Sequence, residues 1–230
     1  MFNVGTNNES VRVEWIEKTL KKIPPGSKIL DAGAGECQFK RFCSHLKYVS
    51  QDFGQYTGEG NVGMQTGTWD NSKLDIISDI TAIPVEDASF DAVMCTEVLE
   101  HVPDPVAALK EMNRILKPGG HLLITAPFAS LTHFAPYHFA SGLSRFFYEH
   151  HLGKLGYNIA DMKMNGNYFE YLGQEVRRIK NVSTQYSKGY NIIDKIITHL
   201  LLYSLQKLSK KGDASKELLC YGIHVFAIKK

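Results

Sequence analysis

Apolar positions recur along this chain in two rhythms, and the rhythms take turns. From Glu9 to Ile23, Val11, Trp15, Ile16, Thr19 and Leu20 share one helical face, and Pro24-Pro25-Gly26 closes the segment. The run Lys28-Ile29-Leu30-Asp31-Ala32 reads as a buried strand that stops in a glycine turn, followed by a helix from about Cys37 to Leu46. Tyr48 to Asp52 is a second short strand. Phe53 to Ser72, rich in Gly, Thr, Asn and Gln, has no period and reads as a surface loop. Strand character resumes at Leu74 to Ile80 and again at Phe90 to Cys95. Asp104 and Pro105 then mark a helix start, and Val106, Leu109, Met112 and Leu116 carry it to Pro118-Gly119-Gly120. His121 to Ala126 is a further strand, Leu143 to Leu155 a helix, and Gly156 to Ile159 the start of a sixth strand. Two helices, Phe169 to Lys180 and Ile192 to Leu208, precede a last strand within Leu218 to Ile228. Strands that alternate with helices predict an α/β fold with a mostly parallel sheet covered on both faces.

Bulk properties narrow the class. The 230 residues suit one large α/β domain spanning 1–230, and 43% hydrophobic with 22% charged residues is ordinary for a globular protein. A net charge of +2 gives no footprint for DNA or RNA as a partner. Cys37, Cys43, Cys95 and Cys220 form neither a C-x-x-C pair nor a zinc-type grouping, so a reducing, cytoplasmic setting is expected. No signal-peptide layout and no transmembrane segment is expected from the hydropathy.

The candidate chemistry sits where strands end. Gly33 and Gly35 follow Asp31, and residues without Cβ let a ligand press against the backbone. A helix starting after such a turn would aim free N–H groups at that ligand. Asp52 lies about twenty positions after Asp31, the offset at which a dinucleotide-type fold places a carboxylate for ribose hydroxyls. A nicotinamide-binding turn would want a third glycine where Gln38 stands.

The ordered set Ile29-Leu30-Asp31-Ala32-Gly33-Ala34-Gly35, Asp79-Ile80, Ser89-Phe90-Asp91-Ala92-Val93, Glu97-Val98-Leu99-Glu100-His101-Val102 and Leu116-Lys117-Pro118-Gly119-Gly120 resembles the class I S-adenosylmethionine-dependent methyltransferases. The resemblance covers residues 25 to 160 or so. It implies a Rossmann-like seven-stranded sheet whose last strand is antiparallel, with S-adenosylmethionine at the strand carboxyl ends. It further implies that Asp31 holds the cofactor's ammonium group while Gly33, Ala34 and Gly35 pass its methionine part. Asp52 and Phe53 would flank the ribose, Asp79 and Ile80 would address adenine, and Thr96 and Glu97 would lie beside the sulfonium. Cys37 stands where the family often has a third glycine. The motif that marks methylation of DNA base amino groups is replaced by Cys95-Thr96-Glu97-Val98, so DNA is not the expected acceptor.

For a hydroxyl acceptor a base is useful, and His101, His133 and His138 are the candidates. Glu97, Glu100 and His101 fall at i, i+3 and i+4 and could converge on a divalent cation, with His138 as a fourth ligand by analogy with some hydroxyl-methylating relatives. The alternative is that Glu97 and His101 only orient cofactor and loop. Pro127 to Ser141, with Phe128, Phe134, Tyr137 and Phe139, is expected to cap an acceptor pocket. Residues 165–216 read as a helical insertion serving as lid or interface, including a homodimer interface through the apolar helix at 192–208. Arg177, Arg178 and Lys180 make either a solvated face or a grip for an anionic acceptor. The expected activity is methyl transfer to a small-molecule or saccharide-like acceptor, oxygen ahead of nitrogen, with a catalytically silent cofactor-binding scaffold as the alternative.

Overall fold

The computed structural model describes residues 2–59, 62–64, 67–187 and 189–230. Among the described residues, seven strands form one sheet: β1 (Lys28–Ala32), β2 (Lys47–Asp52), β3 (Ile76–Ile77), β4 (Phe90–Thr96), β5 (Leu116–Pro127), β6 (Tyr157–Asn165) and β7 (Gly222–Lys229). Their order is β3-β2-β1-β4-β5-β7-β6. The pairs β1–β2, β1–β4, β2–β3 and β4–β5 are parallel, and β7 is antiparallel, as expected. The order reverses beside β1, where Leu30 faces Val49 on one side and Val93 on the other. In an open parallel sheet such a reversal opens a crevice at the carboxyl ends of the strands.

Among the described residues there are five α-helices: α1 (Asn8–Leu20), α2 (Pro105–Ile115), α3 (Arg145–Lys154), α4 (Tyr168–Tyr186) and α5 (Ile192–Ser209). The start of α2 is the one its sequence predicts. Asp104 accepts a hydrogen bond from Ala107 N at 2.9 Å, and Pro105 opens the helix. Three sequence expectations are corrected. No α-helix follows the glycine turn: residues 34–46 run as successive i→i+3 turns, from Cys37 N to Ala34 O through Leu46 N to Cys43 O, with a short 3-10 turn at Lys40–Phe42. Cys37 has φ +58, a left-handed conformation that an α-helix cannot contain. The third strand shrinks to Ile76–Ile77, because Asp79 forms a turn with Ala82 N donating to its carbonyl. Strand β5 begins at Leu116, not His121, and includes Pro118-Gly119-Gly120, which the pattern reads as the stop of the preceding helix.

The chain divides into two compact units, Glu14–Lys163 with Ile223–Lys230 and Met1–Val13 with Met164–Gly222. In the larger unit, Arg114 on α2 is a hub. It donates to Glu111 at 2.7 and 2.9 Å, to Asp87 at 2.6 Å and to the carbonyls of Val85 and Ile83. Glu111 in turn accepts from Ile83 N at 2.7 Å. One guanidinium therefore fastens the connection between β3 and β4 to α2.

The smaller unit is built on α4 and α5, both capped by asparagine: Asn167 accepts from Phe169 N and Glu170 N, and Asn191 forms a capping box with Asp194. Its core joins Val4, Val176, Leu202 and Leu205, with Phe2, Phe169 and Leu172 against them. Arg177 donates to the carbonyls of Val4 and Phe2, and Arg178 pairs with Glu175 at 2.6 Å. These two arginines are struts of the unit, so the grip for an anionic acceptor is not what they build. On α5, Ile192, Ile193, Ile196, Ile197, Leu200 and Leu201 are exposed. Among the described residues no helix is long and apolar enough to cross a membrane.

Arg114→Met is expected to lower stability by about 1–3 kcal/mol in urea unfolding, because several charge-assisted bonds go at once. Arg114→Lys is expected to recover only a minor part, since a point charge cannot reproduce the guanidinium fork. Full recovery by lysine would contradict the hub.

Candidate active site

The site begins with a backbone knot between β1 and β2. Gly33 N and Ala34 N both donate to the carbonyl of Gln51 at 2.8 Å. Gly35 N donates to Asp52 Oδ2 at 3.0 Å, and Gly54 N to Asp52 Oδ1 at 2.9 Å. Gly33 has φ +78, and a Cβ there would lie 2.4 Å from Val98 Cγ2. Glycine is demanded twice, by the dihedral and by the space. Asp31, Gly33, Ala34, Gly35 and Asp52 are thus brought together, though their amides serve the knot rather than a helix N-terminus.

Asp31 is the electrostatic oddity. It is 1% exposed. Oδ2 accepts from the Tyr48 hydroxyl at 2.6 Å, while Oδ1 is buried without a hydrogen-bond partner. Burial pushes its pKa up to about 7; the Tyr48 bond opposes this and the nearby Asp52 carboxylate adds to it.

The other strand ends contribute unequally. Gln51 Nε2 donates to the carbonyl of Ser78 at 2.7 Å, which ties the end of β2 to the start of the next turn. Asp79 is exposed, and its Oδ1 accepts from Thr81 N and Thr81 Oγ1 at 2.8 and 2.7 Å. Its carboxylate is not hydrogen-bonded to the knot; Ile80, next to it, is buried. At the end of β4, Thr96 is buried and Glu97 has φ +55, a conformation costing about 1–3 kcal/mol for a residue with a side chain. Thr125 holds it there: Glu97 N donates to the Thr125 carbonyl at 2.8 Å, and the Thr125 hydroxyl donates to Glu97 Oε1 at 2.9 Å.

Beyond β4 and β5, two loops close on three imidazoles. His101 Nδ1 lies 2.5 Å from the Tyr137 carbonyl, so its proton sits on Nδ1. Phe139 N and Ala140 N donate to the carbonyl of Glu100. His133 Nδ1 lies 2.8 Å from the Leu131 carbonyl. Ring centroids are 4.7 Å apart for His101–His133, 5.0 Å for His133–His138 and 6.1 Å for His101–His138. Burial lowers the His101 pKa to about 4, against the Tyr137 bond and helped by the other two rings, and burial also lowers that of His138. His101 is therefore neutral at pH 7.

Tyr56, Met64 and Trp69 escaped the sequence reading, and they meet residues that it had named. Phe134 stacks on Tyr56 at 3.8 Å, Trp69 meets Phe134 edge-on at 5.0 Å, and Phe53 meets Tyr137 edge-on at 4.8 Å. Met64 N donates to the Thr132 carbonyl and Phe134 N to that of Met64. The stretch that reads as a surface loop of open function is bonded to the loop after β5. Trp69 stands over the knot, since a Cβ on Gly35 would lie 2.6 Å from its Cζ2. The available signal was aromatic residues placed within a glycine-rich, aperiodic stretch. The cation set weighed from the sequence does not assemble as Glu97, Glu100, His101 and His138. Glu97 turns to Thr125, and the third residue gathered with His101 and His138 is His133.

Comparison with known proteins agrees with this geometry. A profile described as a methyltransferase domain matches residues 30–124, the segment that holds β1, the knot, β4 and most of β5. Over residues 30–124 the chain is therefore similar to the methyltransferase domain that this profile describes. It is similar to the ubiquinone biosynthesis O-methyltransferase of Xanthomonas axonopodis pv. citri (strain 306), 30% identical over 119 residues, which is 50% of this chain and 48% of that protein. It is also similar to the demethylmenaquinone methyltransferase of Clavibacter sepedonicus, 34% identical over 114 residues, 48% of this chain and 46% of the other. The matches span about half the length of these curated relatives. A methyltransferase from Archaeoglobus fulgidus superposes with a TM-score of 0.56 at 15% identity, covering 96% of this chain and 97% of its own; that likeness concerns the fold alone.

The buried Asp31 has a consequence for stability. A carboxyl whose pKa is near 7 when folded and about 3.9 when unfolded keeps a proton in the fold that it loses in the open chain. Folded stability therefore falls as pH rises between those values, by up to about 1.4 kcal/mol per pH unit. Relative to Asp31→Asn, the ligand-free protein is expected to lose stability between pH 5 and pH 7 in urea unfolding. A difference independent of pH would contradict the burial of an unpaired carboxyl.

Proposed function

We propose that this chain transfers a methyl group from S-adenosylmethionine to an oxygen of a small-molecule acceptor. The observation that carries the reading is the orphaned Asp31 Oδ1 beside the glycine knot. A buried carboxylate oxygen with no donor fits an ammonium group, and none of its neighbours supplies one. Gly33, Ala34 and Gly35 would pass the amino-acid part of the cofactor. Asp52 keeps lone pairs for ribose hydroxyls beyond those its two amide donors use, with Phe53 beside it. Asp79 and Ile80 would meet the adenine, and Thr96 and Glu97 would stand at the reacting end. When bound, the cofactor supplies a methyl group already activated by its sulfonium.

What the chain adds is orientation, dryness and a place for the proton. Holding the reactants in line contributes on the order of 7–11 kcal/mol in favourable cases. The rings of Tyr56, Trp69, Phe134 and Tyr137 form a cover that excludes water and offers flat faces to a ring-shaped acceptor, aromatic or saccharide. The imidazoles of His101, His133 and His138 supply the base. His101 and His133 give their Nδ1 protons to backbone carbonyls, which leaves Nε2 as the acceptor on each. Oxygen as the methylated atom is supported by this basic cluster and by the O-methylating relative from Xanthomonas.

Two measurements test the reading. Calorimetric titration with S-adenosylmethionine is expected to show saturable binding at pH 7, weakening about tenfold per unit as pH falls to 5.5, because Asp31 must first lose its proton. Asp31→Asn is expected to bind weakly and to flatten that profile. Transfer of labelled methyl to hydroxylated aromatic and saccharide acceptors is expected to yield a methyl ether. Absence of saturable binding at pH 7 would contradict the proposal, and binding with no transfer to any hydroxylated acceptor would count for the silent scaffold.

A further inference from the structure

We propose that His101, His133 and His138 form a binding site for one divalent transition-metal ion of the zinc type. One potential ligand atom from each lies within 4.8 Å of the other two, and among the described residues this is the group of such side chains at metal-holding distance. A tetrahedral zinc with bonds of about 2.0–2.1 Å needs its nitrogens roughly 3.3–3.5 Å apart. The three ligand atoms must therefore draw together by up to about 1.4 Å on binding.

Three further features fit a cation rather than a packed aromatic cluster. His101 and His133 each commit Nδ1 to a backbone carbonyl, Tyr137 and Leu131. That second bond fixes tautomer and ring plane in metal-binding histidines and leaves Nε2 as the ligand. His138 Nδ1 is buried without a hydrogen-bond partner, so this ring has a polar atom for which the fold offers no use. Glu100 is fully buried with Oε1 3.7 Å from His101 Nε2, which sets a carboxyl oxygen beside the cluster. Imidazole-only donors select zinc, cobalt, nickel or copper over magnesium or calcium, which want oxygen ligands. Three protein ligands leave a coordination position open. Use of that position to bind the acceptor's oxygen rests on the methyl-transfer reading; the ion site does not.

The full chain, stripped with a chelator that is then removed, is the material for the test. Titration with Co²⁺ is expected to develop the visible absorption of a four-coordinate nitrogen site at one ion per chain, and Zn²⁺ is expected to displace it. His133→Gln and His138→Gln are each expected to weaken Zn²⁺ by more than about tenfold in competition with a chromophoric chelator. They should also lose the rise in melting temperature that Zn²⁺ gives the parent protein. His150→Gln, on α3 beside His151 and outside the cluster, is expected to change neither. Circular dichroism and S-adenosylmethionine binding, measured on the same stripped samples, show whether each variant is folded. Zn²⁺ bound no more tightly by the parent than by folded His133→Gln, or lost equally in His150→Gln, would overturn the site. Failure of S-adenosylmethionine to bind with Zn²⁺ binding intact would count against the methyl-transfer reading alone.

Discussion

Two groups at the end of β2 govern the candidate site: the carbonyl of Gln51, which accepts from two successive amides, and the carboxylate of Asp52, which accepts from a third. Together they bend the chain after β1 into a left-handed glycine turn and hold it against the neighbouring strand. The price is that three amides normally free at such a turn are spent inside the protein. What is left for a ligand is not a helix N-terminus but a carboxylate, Asp31, whose Oδ1 the knot encloses without satisfying. An energetic penalty of that kind is tolerable where a cation is going to arrive.

The same logic runs through the opposite end of the crevice. Glu97 holds an unfavourable φ because Thr125 on the adjacent strand bonds it twice. From there the chain turns through Leu99 and Glu100 to His101, whose bond to Tyr137 draws in the loop after β5. That loop carries His133 and His138, and through Phe134 it reaches Tyr56 and Trp69 of the segment after β2. Polar strand ends thus receive an aromatic roof from two loops that are irregular in their own backbones. Irregular loops on a rigid sheet are where a fold usually places its chemistry.

Much of this was legible in the sequence, and the reason is local. Strand β1, the cap of α2 and the alternation of strands and helices are written in short-range periodicity, in Asp104-Pro105 and in the acid–glycine spacing. The gathering of Asp31, Gly33, Gly35 and Asp52 follows from strand order, which alternation implies. The missing helix after Gly35 was not legible, because Phe39, Cys43 and Leu46 have an apolar spacing that short turns satisfy as well as an α-helix. Arg177 looked like part of a basic patch because its partners, the carbonyls of Phe2 and Val4, are more than 170 positions away. The roles of Trp69 and Tyr56 were hidden for the same reason: their loop has no periodicity, and its packing depends on a loop some sixty to eighty residues later.

The apolar stripe on α5 shows what a pattern cannot decide. Ile192 to Leu208 reads as a helix that must be covered on its sides, and the helix is present, yet among the described residues its buried apolar side chains are Leu202 and Leu205. The most direct test of the account as a whole is a crystal structure of the chain with S-adenosylhomocysteine. The expected result places the ligand's amino group within hydrogen-bond distance of Asp31 Oδ1 and its ribose beside Asp52. A nucleoside bound elsewhere on the protein, or an amino group held by residues other than Asp31, would contradict it.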